Sequence, residues 1–291
     1  MGKEKYSLCT RRILGFFRPV IVFGGFLVFG WILKGVIPLL FSLPIIGSLM
    51  IPGIMTISIF VCCRFVDKRS FKSLGLRISR FSLSDICLGF CTIILSTVPV
   101  FFANWAVGWI EPKDISSLLG NITVIAAFEI VMTSLFTTLL TGWWEELLFR
   151  GYIFKNIAWN TGVIFGAVLT SAIFGISHIG NYLQQKLTIM DCLSIAVDAA
   201  IGGLLMVFAY IRTRNLWMSI GLHTGWNFLM GRIMGLGIPQ GSRPGFVGNL
   251  FGAPNVPMNA NDIAILGIAA VLVFLVTKQR NRRMFLKGIA K

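Results

Sequence analysis

Long apolar runs separated by short polar stretches are the dominant pattern of this 291-residue chain. Each run is close to the roughly 20 residues that cross a bilayer as a helix. The pattern predicts eight membrane-spanning helices, over residues 17–38, 44–64, 84–110, 122–154, 160–180, 190–211, 215–232 and 262–278. We therefore expect an all-α fold, a polytopic helical bundle that forms one integral-membrane domain over residues 1–291.

Composition leads to the same class of protein. Hydrophobic residues make up 56% of the chain and charged residues only 13%, and the mean hydropathy is +0.82. A soluble domain cannot bury that much apolar surface. The net charge is +15, but the basic residues cluster between the apolar runs. That arrangement is typical of membrane topology and of contact with anionic lipids, and it argues against a nucleic-acid partner.

The basic clusters also predict an orientation. They precede the first span, lie between the second and third and between the sixth and seventh, and follow the eighth. The loops on the opposite side carry few basic residues. Because Lys and Arg are retained in cytoplasmic loops, eight crossings would place every cluster, and both termini, in the cytoplasm.

Two adjacent carboxylates, Glu145 and Glu146, stand at the end of a long apolar run. An ionised side chain is costly there and usually has a function. Glu146 and Arg150 are four residues apart in the order that favours a helical ion pair. Neighbouring helical residues point about 100° apart, so Glu145 lies on another face without a local partner. Such a carboxylate suits a general base, although the pair could also cap a membrane helix against water.

The chain contains only two histidines, and both lie in apolar spans. His178 follows Phe174 by four residues, and His223 precedes Asn227 by four, so each pair shares a helical face. A single histidine within a membrane is often an interhelical hydrogen-bonding group. Together with Glu145, however, these residues supply a base, two imidazoles and an amide donor. Those are the groups needed to activate a water molecule and to stabilise an oxyanion.

Three motifs on successive spans carry a family resemblance. The motifs are Glu145-Glu146-x-x-x-Arg150, Phe174-x-x-x-His178 and His223-x-x-x-Asn227. In this order they resemble the motifs of the CAAX prenyl protease and bacteriocin-processing (CPBP) family, also called the Abi family, of intramembrane glutamate endopeptidases. The resemblance covers about residues 141–228. It implies a catalytic core at about 122–232, with the active site inside the bundle of a protein of the bacterial cell membrane.

The resemblance also implies a role for each matched residue. Glu145 would be the general base, and His178 would help to bind and polarise the attacking water. His223 and Asn227 would donate to the tetrahedral oxyanion. The supporting positions would be Glu146, Arg150 and Phe174. The implied reaction is a metal-independent cleavage of a membrane-associated or lipidated peptide or protein, with the bilayer and that substrate as the partners and with no cofactor.

Three other interpretations remain open at the level of sequence. Two imidazoles and a carboxylate could bind zinc, although no His-Glu-x-x-His helix is present. A proton-coupled transporter could use intramembrane acids such as Glu129, Asp191 and Asp198, although no inverted repeat supports one. A non-proteolytic bacteriocin-immunity or scaffold protein could retain the motifs and act by binding a partner. The sequence does not indicate the substrate or the oligomeric state.

Overall fold

The computed structural model describes residues 43–109, 111–112, 123–179, 188–234, 251–252 and 258–289, with scattered helical positions between 24 and 36. The predicted first span, 17–38, lies almost wholly outside these residues. The helices are α1 (Pro44–Val61), α2 (Ser82–Ala106), α3 (Val124–Glu146), α4 (Lys155–Thr161), α5 (Val163–Ile179), α6 (Ile189–Thr213), α7 (Trp217–Trp226) and α8 (Met258–Ile289).

Three π-helical segments extend or join these helices. Cys62–Val66 follows α1, Leu147–Phe154 joins α3 to α4, and Asn227–Met234 extends α7. A 3-10 turn, Phe71–Leu74, lies between α1 and α2. The only extended elements among the described residues are β1 (Glu111–Pro112) and β2 (Phe251–Gly252), which pair antiparallel.

Five helical stretches of the described chain are long and apolar enough to cross a membrane. They are Ile46–Val66, Ser82–Ala106, Val124–Thr161, Ile189–Thr213 and Asn261–Lys278, and they correspond to the second, third, fourth, sixth and eighth predicted spans. The fifth predicted span corresponds to α5, which has only 17 residues. The seventh corresponds to α7 and its π-helical extension. The structure therefore confirms an all-helical integral-membrane protein, and the count of eight spans stays a prediction.

Local signals explain where the central helices begin and end. The Thr123 side chain accepts a hydrogen bond from the Ala126 backbone N–H at 3.2 Å, which caps the start of α3. From there the chain stays helical to Thr161. Gly162 ends it with φ +98°, a conformation that glycine adopts readily. A Cβ on Gly166 would lie 2.9 Å from the Cα of Ala158, so α5 packs closely on α4.

Helix α7 is the most enclosed of the helices, and every residue from Met218 to Gly225 is buried. Small residues let its neighbours approach. A Cβ on Gly221 would lie 2.1 Å from the carbonyl oxygen of Ile86 in α2, and one on Gly142 of α3 would lie 2.8 Å from Thr224 Oγ1. Membrane helices use small residues for such contacts because lipid supplies no hydrophobic force between helices. As a result α7 lies against both α2 and α3.

The second π-helical segment, Leu147–Phe154, forms the centre of the bundle. All eight of its residues are buried. By contrast, large apolar side chains on the outer faces are widely exposed, for example Val124 at 87% and Ile164 at 83%. That distribution suits a protein whose solvent is lipid. It also means that the charged residues of the central segment lie inside the bundle.

Candidate active site

The charged centre of the bundle begins where α3 changes into a π-helical segment. Glu146 is the last residue of α3, and Arg150 is the fourth residue of that segment. Both side chains are fully buried, and Arg150 Nη1 donates to Glu146 Oε1 at 2.8 Å. The predicted ion pair is therefore confirmed. Arg150 Nη2 also donates to the carbonyl oxygen of Gly203 in α6 at 3.2 Å, which ties α6 to the pair.

His223 of α7 lies between the two glutamates. Its Nδ1 is 2.7 Å from Glu146 Oε1, and its Nε2 is 3.6 Å from Glu145 Oε2. The first distance is a hydrogen bond, and the second is too long to be one. Glu145 Oε2 is buried and has no hydrogen-bond partner among the described residues. The site therefore presents a free carboxylate oxygen facing an imidazole nitrogen.

The hydrogen bond to Glu146 restricts the state of the His223 ring. Glu146 Oε1 already accepts from Arg150, so His223 Nδ1 donates to it. In a neutral ring Nε2 would then be an acceptor, and it donates only when the ring is an imidazolium. With Arg150 charged, one proton held by either His223 or Glu145 makes the cluster electrically neutral. Neutrality is strongly favoured for charges removed from water.

His178 lies beside this cluster, and one phenyl ring contacts both histidines. The Phe174 ring centroid is 4.5 Å from the His178 ring and 5.8 Å from the His223 ring. His178 is half-buried, and its Nδ1 lies 2.8 Å from the carbonyl oxygen of Phe174. Since a carbonyl can only accept, Nδ1 carries the proton, and in the neutral ring Nε2 is left as an acceptor. Both imidazoles therefore pack against Phe174, and the Arg150 guanidinium stacks 4.4 Å from its centroid.

Asn227 stands one turn beyond His223, where α7 changes into its π-helical extension. Its backbone N–H bonds to the carbonyl oxygen of His223, and its side chain is half-buried. No hydrogen bond of that side chain was found within the described part of the chain. The amide is therefore available to an oxygen placed beside His223. One π-helical segment thus starts at the motif residue Asn227 and another directly after the motif residue Glu146, and such segments often occur at functional sites.

In the described chain, the residues considered for metal binding or proton transport do not form a second cluster with the site around His223. Among the described residues, no group of three His, Cys, Asp or Glu side chains is placed to hold a metal ion. Asp191 forms a capping box with Thr188 at the start of α6, which gives it a structural role. Glu129 is exposed on α3. None of these features adds a group to the cluster around His223.

Two contacts of the site were not predicted. The carbonyl oxygen of Gly203 is a backbone acceptor, and no residue pattern identifies a particular carbonyl. Phe149 packs edge-on against Phe174, with centroids 4.8 Å apart. Phe149 lies beside Arg150 in the sequence, so its proximity to the motif was the only available signal.

Comparison with known proteins agrees with the motifs. Residues 127–229 match the family model described as Rce1-like, type II CAAX prenyl endopeptidase Rce1-like. That stretch runs from α3 into the π-helical extension of α7 and contains all seven predicted site residues. No curated protein and no solved structure matches the chain. The expected resemblance is thereby confirmed, and over residues 127–229 this membrane protein has the sequence pattern of the Rce1-like type II CAAX prenyl endopeptidase family.

Proposed function

We propose that this protein is an intramembrane endopeptidase that hydrolyses a peptide bond of a membrane-associated or lipidated peptide or protein. One observation carries the proposal: Glu145 Oε2 is buried, makes no hydrogen bond in the described chain and faces His223 Nε2 at 3.6 Å. At that separation a reacting oxygen that lies beside the two atoms can be within hydrogen-bond distance of both the base and the donor. The family match supports a peptidase as the class of enzyme.

In the proposed reaction Glu145 acts first as a base. Its carboxylate removes a proton from a water molecule, and the resulting hydroxide oxygen bonds to the carbonyl carbon of the scissile peptide. His178 Nε2 accepts the second hydrogen of that water and so orients it. When the tetrahedral intermediate collapses, the C–N bond breaks and Glu145 returns its proton to the leaving amine. A carboxylic acid and an amine are the products, and Glu145 ends as a carboxylate.

The oxyanion of the intermediate is stabilised from α7. The imidazolium form of His223 donates from Nε2, and the Asn227 amide donates from one turn further along. Glu146 accepts from His223 Nδ1 and so holds the ring in orientation. Arg150 in turn neutralises Glu146. A preorganised donor of this kind contributes about 10²–10³ in rate.

The exposure of the two glutamates agrees with the roles proposed for them. The Glu146 side chain is fully buried, whereas the Glu145 side chain is 13% exposed. The substrate and water therefore reach Glu145 first. A substrate that is already anchored in the bilayer would deliver its peptide bond to a site inside a helical bundle, which favours lipidated or membrane-inserted peptides.

The proposal is tested with purified full-length protein in lipid vesicles. A peptide library, half of it carrying a prenylated cysteine, is incubated with the wild type and two variants, and products are identified by mass spectrometry. Glu145→Gln should lose cleavage by about 10³-fold or more. Glu129→Gln, the same change at an exposed position of the same helix, should cleave like the wild type.

Two results would contradict the proposal. Cleavage that persists in Glu145→Gln would show that another group is the base. A folded wild type that cleaves no peptide, yet retains specific members of the library, would instead support a binding or scaffold protein.

A further inference from the structure

A second polar feature lies apart from the candidate active site, in a cavity of about 710 Å³. It is formed where the 3-10 turn Phe71–Leu74 meets the beginning of α4 and the end of α6. We call it the basic cavity. Its polar side chains are Lys72, Arg77, Lys155, Arg214, Ser70, Ser73 and Tyr210.

Four cationic side chains converge on the basic cavity, and none of the described residues that line it is acidic. Lys72, Arg77 and Arg214 are exposed, and Lys155 is half-buried with its Nζ donating to the carbonyl oxygen of Ser73. Like charges in one small space repel each other, and the repulsion is relieved when an anion binds among them. The arrangement thus favours an anionic ligand.

A hydroxyl group in the basic cavity helps to identify the kind of anion that would bind there. Ser73 Oγ is buried and has no hydrogen-bond partner among the described residues. Buried hydroxyl groups almost always have a partner, so an unpaired one indicates a ligand position. Arginine and lysine side chains together with a hydroxyl group match the charge and the several acceptor oxygens of a phosphate group better than a single carboxylate.

The position of the basic cavity relates it to the membrane surface. Arg214 directly follows the candidate span that ends at Thr213, and Arg77 precedes the one that starts at Ser82. The cavity therefore lies at the ends of spanning helices, where the phosphates of phospholipids are found. Lys155 is ten residues from Glu145 along one continuous helix, a separation on the order of 15 Å. The two sites are therefore distinct.

We propose that the basic cavity binds a phosphate group, either from the headgroup of an anionic phospholipid or as free phosphate. The cavity is large enough for a phosphate with its substituent. Bound there, a phosphate would hold together the turn before α2, the beginning of α4 and the end of α6.

The experiment compares two charge-matched variants of the full-length protein. Lys72→Gln/Arg77→Gln removes two exposed charges that line the basic cavity, and Arg64→Gln/Arg80→Gln removes two exposed charges of the same connection outside it. Native mass spectrometry in a neutral detergent measures binding of phosphatidylglycerol, with phosphatidylcholine as the uncharged reference. Calorimetric titration with inorganic phosphate forms the second arm.

The cavity variant should bind phosphatidylglycerol about 10- to 30-fold more weakly than the wild type, since each basic residue near a membrane surface contributes roughly 1 kcal/mol. The control variant should change binding by less than about threefold. The same contrast in the phosphate arm alone would identify free phosphate as the ligand. Equal losses in both variants, or no loss in the cavity variant for either ligand, would overturn the proposal, because general surface charge would then explain any binding.

Discussion

Two parts of the candidate site meet at the Phe174 ring and are built on different principles. In the first part Glu146, Arg150 and His223 are between 0% and 3% exposed and are joined by hydrogen bonds of 2.7 and 2.8 Å. In the second part His178 is half-buried and, within the described chain, makes one hydrogen bond, to a carbonyl of its own helix. We refer to them as the charged side and the histidine side.

This difference between the charged side and the histidine side distinguishes residues needed for stability from residues needed only for the reaction. Glu146 and Arg150 balance each other's buried charge, and His223 is hydrogen-bonded to Glu146, so removing one of the three leaves a buried charged group without a partner. On the histidine side the ring is positioned by packing and by one backbone carbonyl, and its loss leaves no buried charge. Glu145 shares features of both sides: it faces His223 of the charged side, but its Oε2 makes no hydrogen bond in the described chain. Loss of a residue of the charged side should therefore affect folding as well as the reaction, while loss of His178 or Glu145 should affect mainly the reaction.

The largest effect is expected for Arg150→Met. Removal of the guanidinium leaves Glu146 buried without its counter-charge, so the free energy of unfolding should fall by about 3–5 kcal/mol, and cleavage should be lost. Denaturant unfolding in detergent micelles measures the change. Arg80→Met, at an exposed arginine, is the control and should be near neutral. A variant as stable as the wild type would show that the charged side does not hold the bundle together.

Next comes the contrast between the glutamates. Glu145→Gln should reduce the cleavage rate by about 10³-fold while the free energy of unfolding changes by less than about 1 kcal/mol, because Glu145 Oε2 makes no hydrogen bond in the described chain. Glu146→Gln should lower both activity and stability, since it disrupts the bonds to Arg150 and His223. Parallel cleavage and unfolding measurements on the two variants test this. If both variants lost activity without being destabilised, the two glutamates would not differ in their roles.

The histidines should differ in the same direction but by less. His178→Ala should lower the cleavage rate by about 10²-fold, through poorer orientation of the attacking water, with unfolding nearly unchanged. His223→Ala should lower the rate by at least as much and should also destabilise the protein, because Glu146 loses a donor. Thermal unfolding curves recorded beside the rates would separate the two. Similar destabilisation by both variants would mean that the charged side and the histidine side contribute equally to stability.

The smallest expected effect is that of metal removal. The proposed steps use only side chains of this chain, so a chelator should leave the cleavage rate unchanged, and elemental analysis should find no stoichiometric zinc. Zinc at about one atom per chain, lost together with activity in His178→Ala, would join the two sides through a shared ion and would replace the proposed mechanism.

Local regularities made much of the fold and part of the site predictable. A bilayer requires about 20 apolar residues in each crossing helix, and five predicted spans appear in the structure close to their expected limits. The bond between Glu146 and Arg150 was predictable because residues four apart on a helix are neighbours, whatever the rest of the chain does. The three motifs supplied the site residues, since family resemblance is read directly from residue types and spacing.

Tertiary packing determined how those residues meet. The bond between His223 and Glu146 joins residues 77 positions apart, and it depends on the close approach of α7 to α3 where Gly142 meets Thr224. Neither the π-helical geometry after Glu146 nor the use of the Gly203 carbonyl by Arg150 has a sequence signal. The sequence by itself determined that this is a helical membrane protein with an adjacent pair of glutamates and two histidines in its spans, because helix periodicity and the cost of burying charge are local properties. Only the tertiary structure decided that His223 lies between both glutamates and that it meets the Phe174 ring, because contacts between distant helices depend on the packing of every helix around them.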